Sequence, residues 1–240
     1  MTNTRFARVT TILFDAGNTL AFVDLARVSA VLDECGASTP TTRLERAEAA
    51  GRLEMYRRSE ADPALRDRDR WDTYVRAIFA AAGLDRHPGA ERIRRRLFEV
   101  HAAENLWRHV PPGVPATLDR LRARGKRLGV VSNADGRVPD LLAEIGLAHF
   151  FETIVDSHLV GVEKPDPRIF ALALDRLRVP AADALYVGDF HHVDVVGAER
   201  AGLLPVLLDP LGAYRHVECA VIRRLDELEG LLDGADADAR

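Results

Sequence analysis

Four short apolar runs, each closed by a polar residue, constrain the fold of this 240-residue chain more than any other feature. They are TILF before Asp15, RLGVVS before Asn133, ALYVG before Asp189, and LPVLLD ending on Asp209. Each has strand length and is rich in Val, Ile or Leu. None alternates apolar with polar as a strand with one wet face would, so the runs suit strands buried on both faces of a parallel sheet. ETIVDS, at 152–157, is a weaker run that alternates in part.

Helical patterns separate the later runs. GVPATLDRLRARG sets Val114, Leu118 and Leu121 on one face and closes on Gly125. GRVPDLLAEIG closes on Gly146, and VDVVGAERAG on Gly202. PDPRIFALALDRLRV opens with Asp166 as an N-cap and Pro167 at the first helical position. From residue 114 onward helix and strand alternate, which predicts a doubly wound α/β fold with a parallel sheet.

Residues 22–108 do not alternate and read as helices alone. Leu25, Val28, Leu32 and Cys35 share a helical face, and Thr39–Pro40 and Asp62–Pro63 read as helix starts. Trp71, Tyr74, His101 and Trp107 read as the core of this block, and Arg92, Arg94, Arg95 and Arg96 as a solvated face. The predicted organisation is an α/β core over 1–21 and 109–235, a helical insert at 22–108 and a short, loose acidic tail at 236–240. HVPPGVP, at 109–115, is the Pro-rich return linker.

At 47% hydrophobic residues the chain can bury a sizeable core. A net charge of −4 offers no cationic surplus to a nucleic-acid backbone, and no long uncharged apolar run suggests a membrane partner. Cys35 and Cys219 are far apart and lack metal-type spacing, and no cleavable leader is read at the start. The expectation is a cytoplasmic protein, monomer or homodimer.

Three of the strand-like runs deliver polar groups at their carboxyl ends: Asp15, Ser132 with Asn133, and Asp189. In an open α/β sheet, ligands bind at that edge. Lys164 sits in GVEKPDP just before a helix, and Asp194 follows Asp189 by five residues. Of 33 basic residues only Lys126 and Lys164 are lysines, so a role needing a primary amine has two candidates. Three converging carboxylates repel one another unless a cation joins them, and hard oxygen ligands point to Mg²⁺.

These segments resemble the motifs of the haloacid dehalogenase-like hydrolase superfamily. FDAGNTL is similar to its nucleophile loop, GVVSN to its second motif, GVEKPDPRIF to its lysine motif and YVGDFHHVD to its acidic metal motif, in order over roughly residues 9–210. The resemblance implies a Rossmann-like core with 22–108 as a cap domain, and a Mg²⁺-dependent phosphatase of small phosphorylated metabolites that works through an aspartyl-phosphate. On that resemblance Asp15 is the nucleophile. Ser132 and Asn133, with Ala16 and Gly17, contact the phosphoryl oxygens. Lys164 holds Asp15 and the phosphoryl group together, and Asp15, the Gly17 carbonyl, Asp189 and Asp194 surround the metal. A carboxylate meeting a phosphate at about 4 Å opposes roughly 4 kcal/mol per charge pair, which the cation and Lys164 offset. Cap closure would exclude water from the intermediate.

The chain departs from the pattern at Gly17, where most phosphatases of the superfamily carry an acid/base Asp. Such a group contributes about 10²- to 10⁴-fold. A phosphatase with a substitute acid is one reading, with His191, His192 and Asp24 as candidates. A 2-haloacid dehalogenase, which also lacks that Asp and needs no metal, is a second. A catalytically weak binder of phosphometabolites is a third. Retention of Asp189 and Asp194 favours a metal, and Asp15 beside Lys164 favours turnover. A phosphonatase requires a cap lysine, and none occurs between residues 1 and 125.

Overall fold

Every apolar run named above lies in a strand. The computed structural model describes residues 4–62, 64–65 and 67–237. Its strands are β1 (Thr11–Phe14), β2 (Arg127–Ser132), β3 (Thr153–Asp156), β4 (Ala184–Gly188), β5 (Leu204–Leu208) and β6 (Ala220–Ile222). They form one six-stranded sheet in the order β3-β2-β1-β4-β5-β6, and each neighbouring pair is parallel. The chain lays β2 and β3 on one side of β1, then crosses to the other side for β4, β5 and β6. The point where strand order reverses therefore lies at β1.

The two faces of the sheet explain the absence of alternation. Ile12, Phe14, Val130 and Val187 belong to one apolar layer, and Leu13, Val131, Val155 and Tyr186 to another. Every second residue meets a core on its own side, so both phases of the strand are apolar. The chain divides into two compact units, Met1–Ala21 with Val110–Arg240, and Phe22–His109.

The unit Phe22–His109 is helical: α1 (Leu25–Glu34), α2 (Thr41–Ala61), α3 (Asp67–Ala82) and α4 (Ala90–Glu104). Asp24 caps α1, its carboxylate accepting the Arg27 N–H at 3.0 Å. Thr39 does not cap α2; its hydroxyl donates to the Ala37 carbonyl at 2.9 Å, and Pro40 takes the cap position. Of the expected start at Asp62–Pro63, Pro63 lies outside the described residues, and α3 begins at Asp67. Trp71 packs on Trp107 (4.7 Å between ring centres), His101 (5.0 Å) and Tyr74 (5.8 Å). The buried Tyr74 hydroxyl donates to Glu48 at 3.1 Å. The first and last residues of the unit pair with each other, Phe22 N–H to His109 at 2.8 Å and His109 N–H to Phe22 at 2.9 Å.

In the α/β unit the helices are α5 (Gly113–Ala123), α6 (Val138–Glu144), α7 (Ser157–Val160), α8 (Pro167–Leu177), α9 (Val196–Arg200) and α10 (Glu227–Ala237). Gly125 closes α5 at a φ of 75°, a conformation that costs glycine little. Asp166 caps α8 by accepting the Arg168 N–H at 2.9 Å, with Pro167 first in the helix. A π-helical turn, His191–Val195, leads into α9. The loose tail expected from residue 236 begins too early, because α10 runs through Ala237; residues 238–240 lie outside the described residues. Among the described residues no helix is long and apolar enough to cross a membrane.

Asp156, at the end of β3, joins two helix starts. Its buried carboxylate accepts N–H groups from Gly136 (3.0 Å), Val138 (3.2 Å) and His158 (2.9 Å). Asp156→Ala leaves these donors unpaired and is expected to cost about 3 kcal/mol. The melting temperature should fall by roughly 6–12 °C in a calorimetric scan. A shift under about 2 °C would show that water replaces the carboxylate.

Candidate active site

β1, β2 and β4 are neighbours in the sheet, so the residues that follow them share one edge. Phe14 is in register with Val130 on one side and Val187 on the other. The Asp15 N–H donates to the Val187 carbonyl at 2.8 Å, so pairing holds the backbone of Asp15 one residue past the strand. Beyond it the chain turns: Leu20 and Ala21 N–H both donate to the Ala16 carbonyl at 3.0 Å, and Asn18 takes a φ of 53°. No acceptor for the Ala16 or Gly17 N–H is found among the described residues.

Asp15, Ser132, Lys164, Asp189 and Asp194 are all buried. The Ser132 hydroxyl donates to Asp15 Oδ1 at 2.8 Å, and Lys164 Nζ donates to the same oxygen at 2.8 Å. Lys164 uses its other two protons on Asp194 Oδ1 (2.7 Å) and the Tyr186 hydroxyl (2.8 Å). Tyr186 in turn donates to the Val131 carbonyl at 2.7 Å. Asp194 Oδ2 accepts the Phe190 N–H at 2.9 Å. Ligand oxygens of Asp15, Asp189 and Asp194 lie within 4.8 Å of one another. Gly188 makes room for this: a Cβ there would collide with the Asp194 carboxylate.

The electrostatics follow from one ammonium shared between two carboxylates. Burial alone would lower the Lys164 value, but Asp15 and Asp194 outweigh it and raise it above the ordinary 10.5. Burial raises the Asp15 carboxyl above 3.8, and Lys164 offsets only part of this while Asp194 adds to the rise. The Tyr186 hydroxyl is pushed well above its ordinary value, by burial first and then by the nearby carboxylates. It stays neutral and able to donate.

Asn133 turns its amide to the Lys164 backbone, accepting the Lys164 N–H at 2.7 Å and donating to the Lys164 carbonyl at 3.0 Å. Of the substitute acids, Asp24 is engaged as the cap of α1. The His191 N–H donates to the Tyr214 hydroxyl at 3.3 Å, and the two rings lie 6.0 Å apart. His192 lies in the same π-helical turn. Sequence reasoning missed Tyr186, although a tyrosine inside a strand buried on both faces needs a partner for its hydroxyl.

Several known proteins are similar to this chain. A haloacid dehalogenase-like hydrolase domain-containing protein 3 of Mus musculus is 37% identical over 58% of this chain and 55% of its own length. The chain thus spans about half of that relative. A phosphoserine phosphatase of Thermus thermophilus is 35% identical, covering 68% of this chain and 67% of the relative. Among solved structures, a 2-haloacid dehalogenase of Pseudomonas syringae pv. Tomato superposes with a TM-score of 0.57 at 26% identity, over 94% of this chain and 98% of that one. A family model described as a haloacid dehalogenase-like hydrolase matches residues 9–202. That match runs from before β1 to just past α9 and takes in each segment that contributes to the buried cluster, so the chain belongs to the haloacid dehalogenase-like hydrolases, a family of enzymes.

Proposed function

We propose that the protein is a Mg²⁺-dependent phosphoric-monoester hydrolase acting on a small phosphorylated metabolite. The observation that carries this reading is the buried cluster of Asp15, Asp189 and Asp194 around a single lysine. Three ionised carboxylates against one ammonium leave about two negative charges in a dry site, which is costly without a further cation. An oxygen-only donor set suits Mg²⁺. Asp15, the Gly17 carbonyl, Asp189 and Asp194 would hold it, and it would neutralise charge on the phosphoryl oxygens.

The chain's own residues account for the remaining steps. Ser132 and Lys164 both bind Asp15 Oδ1, so the carboxylate is oriented with Oδ2 free to attack phosphorus. The Asp15–phosphorus bond forms as the ester oxygen departs, and Lys164 cancels part of the accumulating charge. The departing alkoxide takes its proton from solvent, since Gly17 has none to give. Water then cleaves the aspartyl-phosphate, releases inorganic phosphate and restores Asp15. N–H groups of Ala16 and Gly17 are available to the phosphoryl oxygens. The helical unit, as a cap, would select the substrate. The phosphoserine phosphatase relative supports a phosphate ester as substrate class.

A panel of phosphate esters assayed with Mg²⁺ tests this. Hydrolysis should vanish in excess chelator and return with Mg²⁺. Without an acid at Gly17, aryl esters should be cleaved about 10²-fold faster than alkyl esters. Equal rates in chelator would end the metal-dependent reading. Gly17 favours one alternative, a 2-haloacid dehalogenase, which metal-independent chloride release from 2-chloropropionate would select.

A further inference from the structure

We infer that Asn133 is a positioning residue, whose amide fixes the peptide of Lys164 and thereby the place of its ammonium, instead of contacting the phosphoryl group. The catalytic consequence rests on the phosphatase reading; the geometry does not. Lys164 lies in the turn between α7 and α8, where no strand or helix pairs its backbone. A buried peptide needs partners for its N–H and C=O. Asn133 supplies both, at 2.7 and 3.0 Å, the same pair of bonds a neighbouring strand would offer.

The clamp adds a direct tie between the end of β2 and the lysine turn. Asn133 is the first residue past β2, so its backbone is anchored to the sheet beside Ser132. Its side chain is short, with two rotatable bonds, and sets the separation of the β2 end from the lysine turn narrowly. At the far end of Lys164, Nζ has three protons and meets three acceptors, on Asp15, Asp194 and Tyr186. All three bonds are made with the peptide standing where Asn133 holds it. A misplacement of about 1 Å is enough to cost about 10²-fold in rate.

The scarcity of lysine supplies the test. Only Lys126 and Lys164 carry a side-chain amine. Lys126 Nζ donates to the Val9 carbonyl at 2.5 Å, in the same unit, and serves as an internal reference. The folded protein would be treated briefly with acetic anhydride and acetylation at both lysines read by peptide mass spectrometry. In Asn133→Ala the ratio of Lys164 to Lys126 labelling should rise about tenfold as local opening becomes easier. On any ester the wild type cleaves, kcat should fall about 10²-fold with KM within about threefold. An unchanged labelling ratio overturns the proposal. So does a raised KM with kcat preserved, the signature of a direct ligand to the phosphoryl group.

Should Asn133→Ala fail to fold, the isosteric Asn133→Asp is read in the same way. It loses the donor and sets an acceptor against the Lys164 carbonyl, so the labelling ratio should again rise, and no change overturns the inference. Labelling requires no substrate. A wild type inert toward every ester would refute the phosphatase reading and leave this measurement decisive.

Discussion

Asp15→Asn is expected to lower kcat by roughly 10⁴-fold or more while the protein stays folded. In the proposed mechanism Asp15 attacks phosphorus, which an amide cannot do, and no neighbouring group takes over: Asp194 is bonded to Lys164 and to the Phe190 N–H. Stability should hold for a separate reason. Burial already raises the Asp15 carboxyl above its ordinary value, so the charge is expensive to keep in the fold. Asn retains an acceptor for Ser132, and Lys164 retains Asp194. The melting temperature should move by less than about 4 °C. A variant that turns over within tenfold of wild type, in excess of any contaminating activity, would remove Asp15 from the chemistry.

Lys164→Met should do the opposite, damaging fold and activity together. Two carboxylates lose their shared ammonium, and removing one partner of a buried pair costs about 3–5 kcal/mol. Rate should fall by about 10³-fold, the scale of losing a donor aimed at developing charge. The pH dependence carries a sign. Lys164 is raised in the folded protein, so its contribution is fully present below 10.5 and is lost as pH climbs above that value. Urea unfolding of the wild type should therefore weaken more steeply than that of Lys164→Met above pH 10.5. Parallel slopes would mean that the ammonium gains nothing from its partners. Excess Mg²⁺ should soften the stability loss, because a cation at Asp15, Asp189 and Asp194 would replace part of the missing charge.

What could be read from the chain alone divides by how local each signal is. Strands buried on both faces announce themselves as unbroken apolar runs, and their polar ends mark Asp15, Ser132 and Asp189 in the sequence itself. β6 was missed because Ala220–Ile222 is three residues long and follows a polar, Gly-containing loop. Thr39–Pro40 marks the start of α2 as read, with Pro40 in the cap position while the Thr39 hydroxyl bonds backward to the Ala37 carbonyl. Tyr186 and the partner of Asn133 were hidden for a deeper reason. Tyr186 reads as an ordinary strand aromatic, and Asn133, though named as a site residue, reads as a contact to the phosphoryl group. What sets them apart is one lysine, 22 and 31 residues away, and such pairings are written only in the fold.

The mutual pairing of Phe22 and His109 has a consequence for how such a protein can change. A segment that leaves and returns through the same doorway can be lengthened, shortened or replaced by recombination without re-threading the strands around it. Exchanging that one cassette would leave the sheet and the buried cluster at its edge as they are.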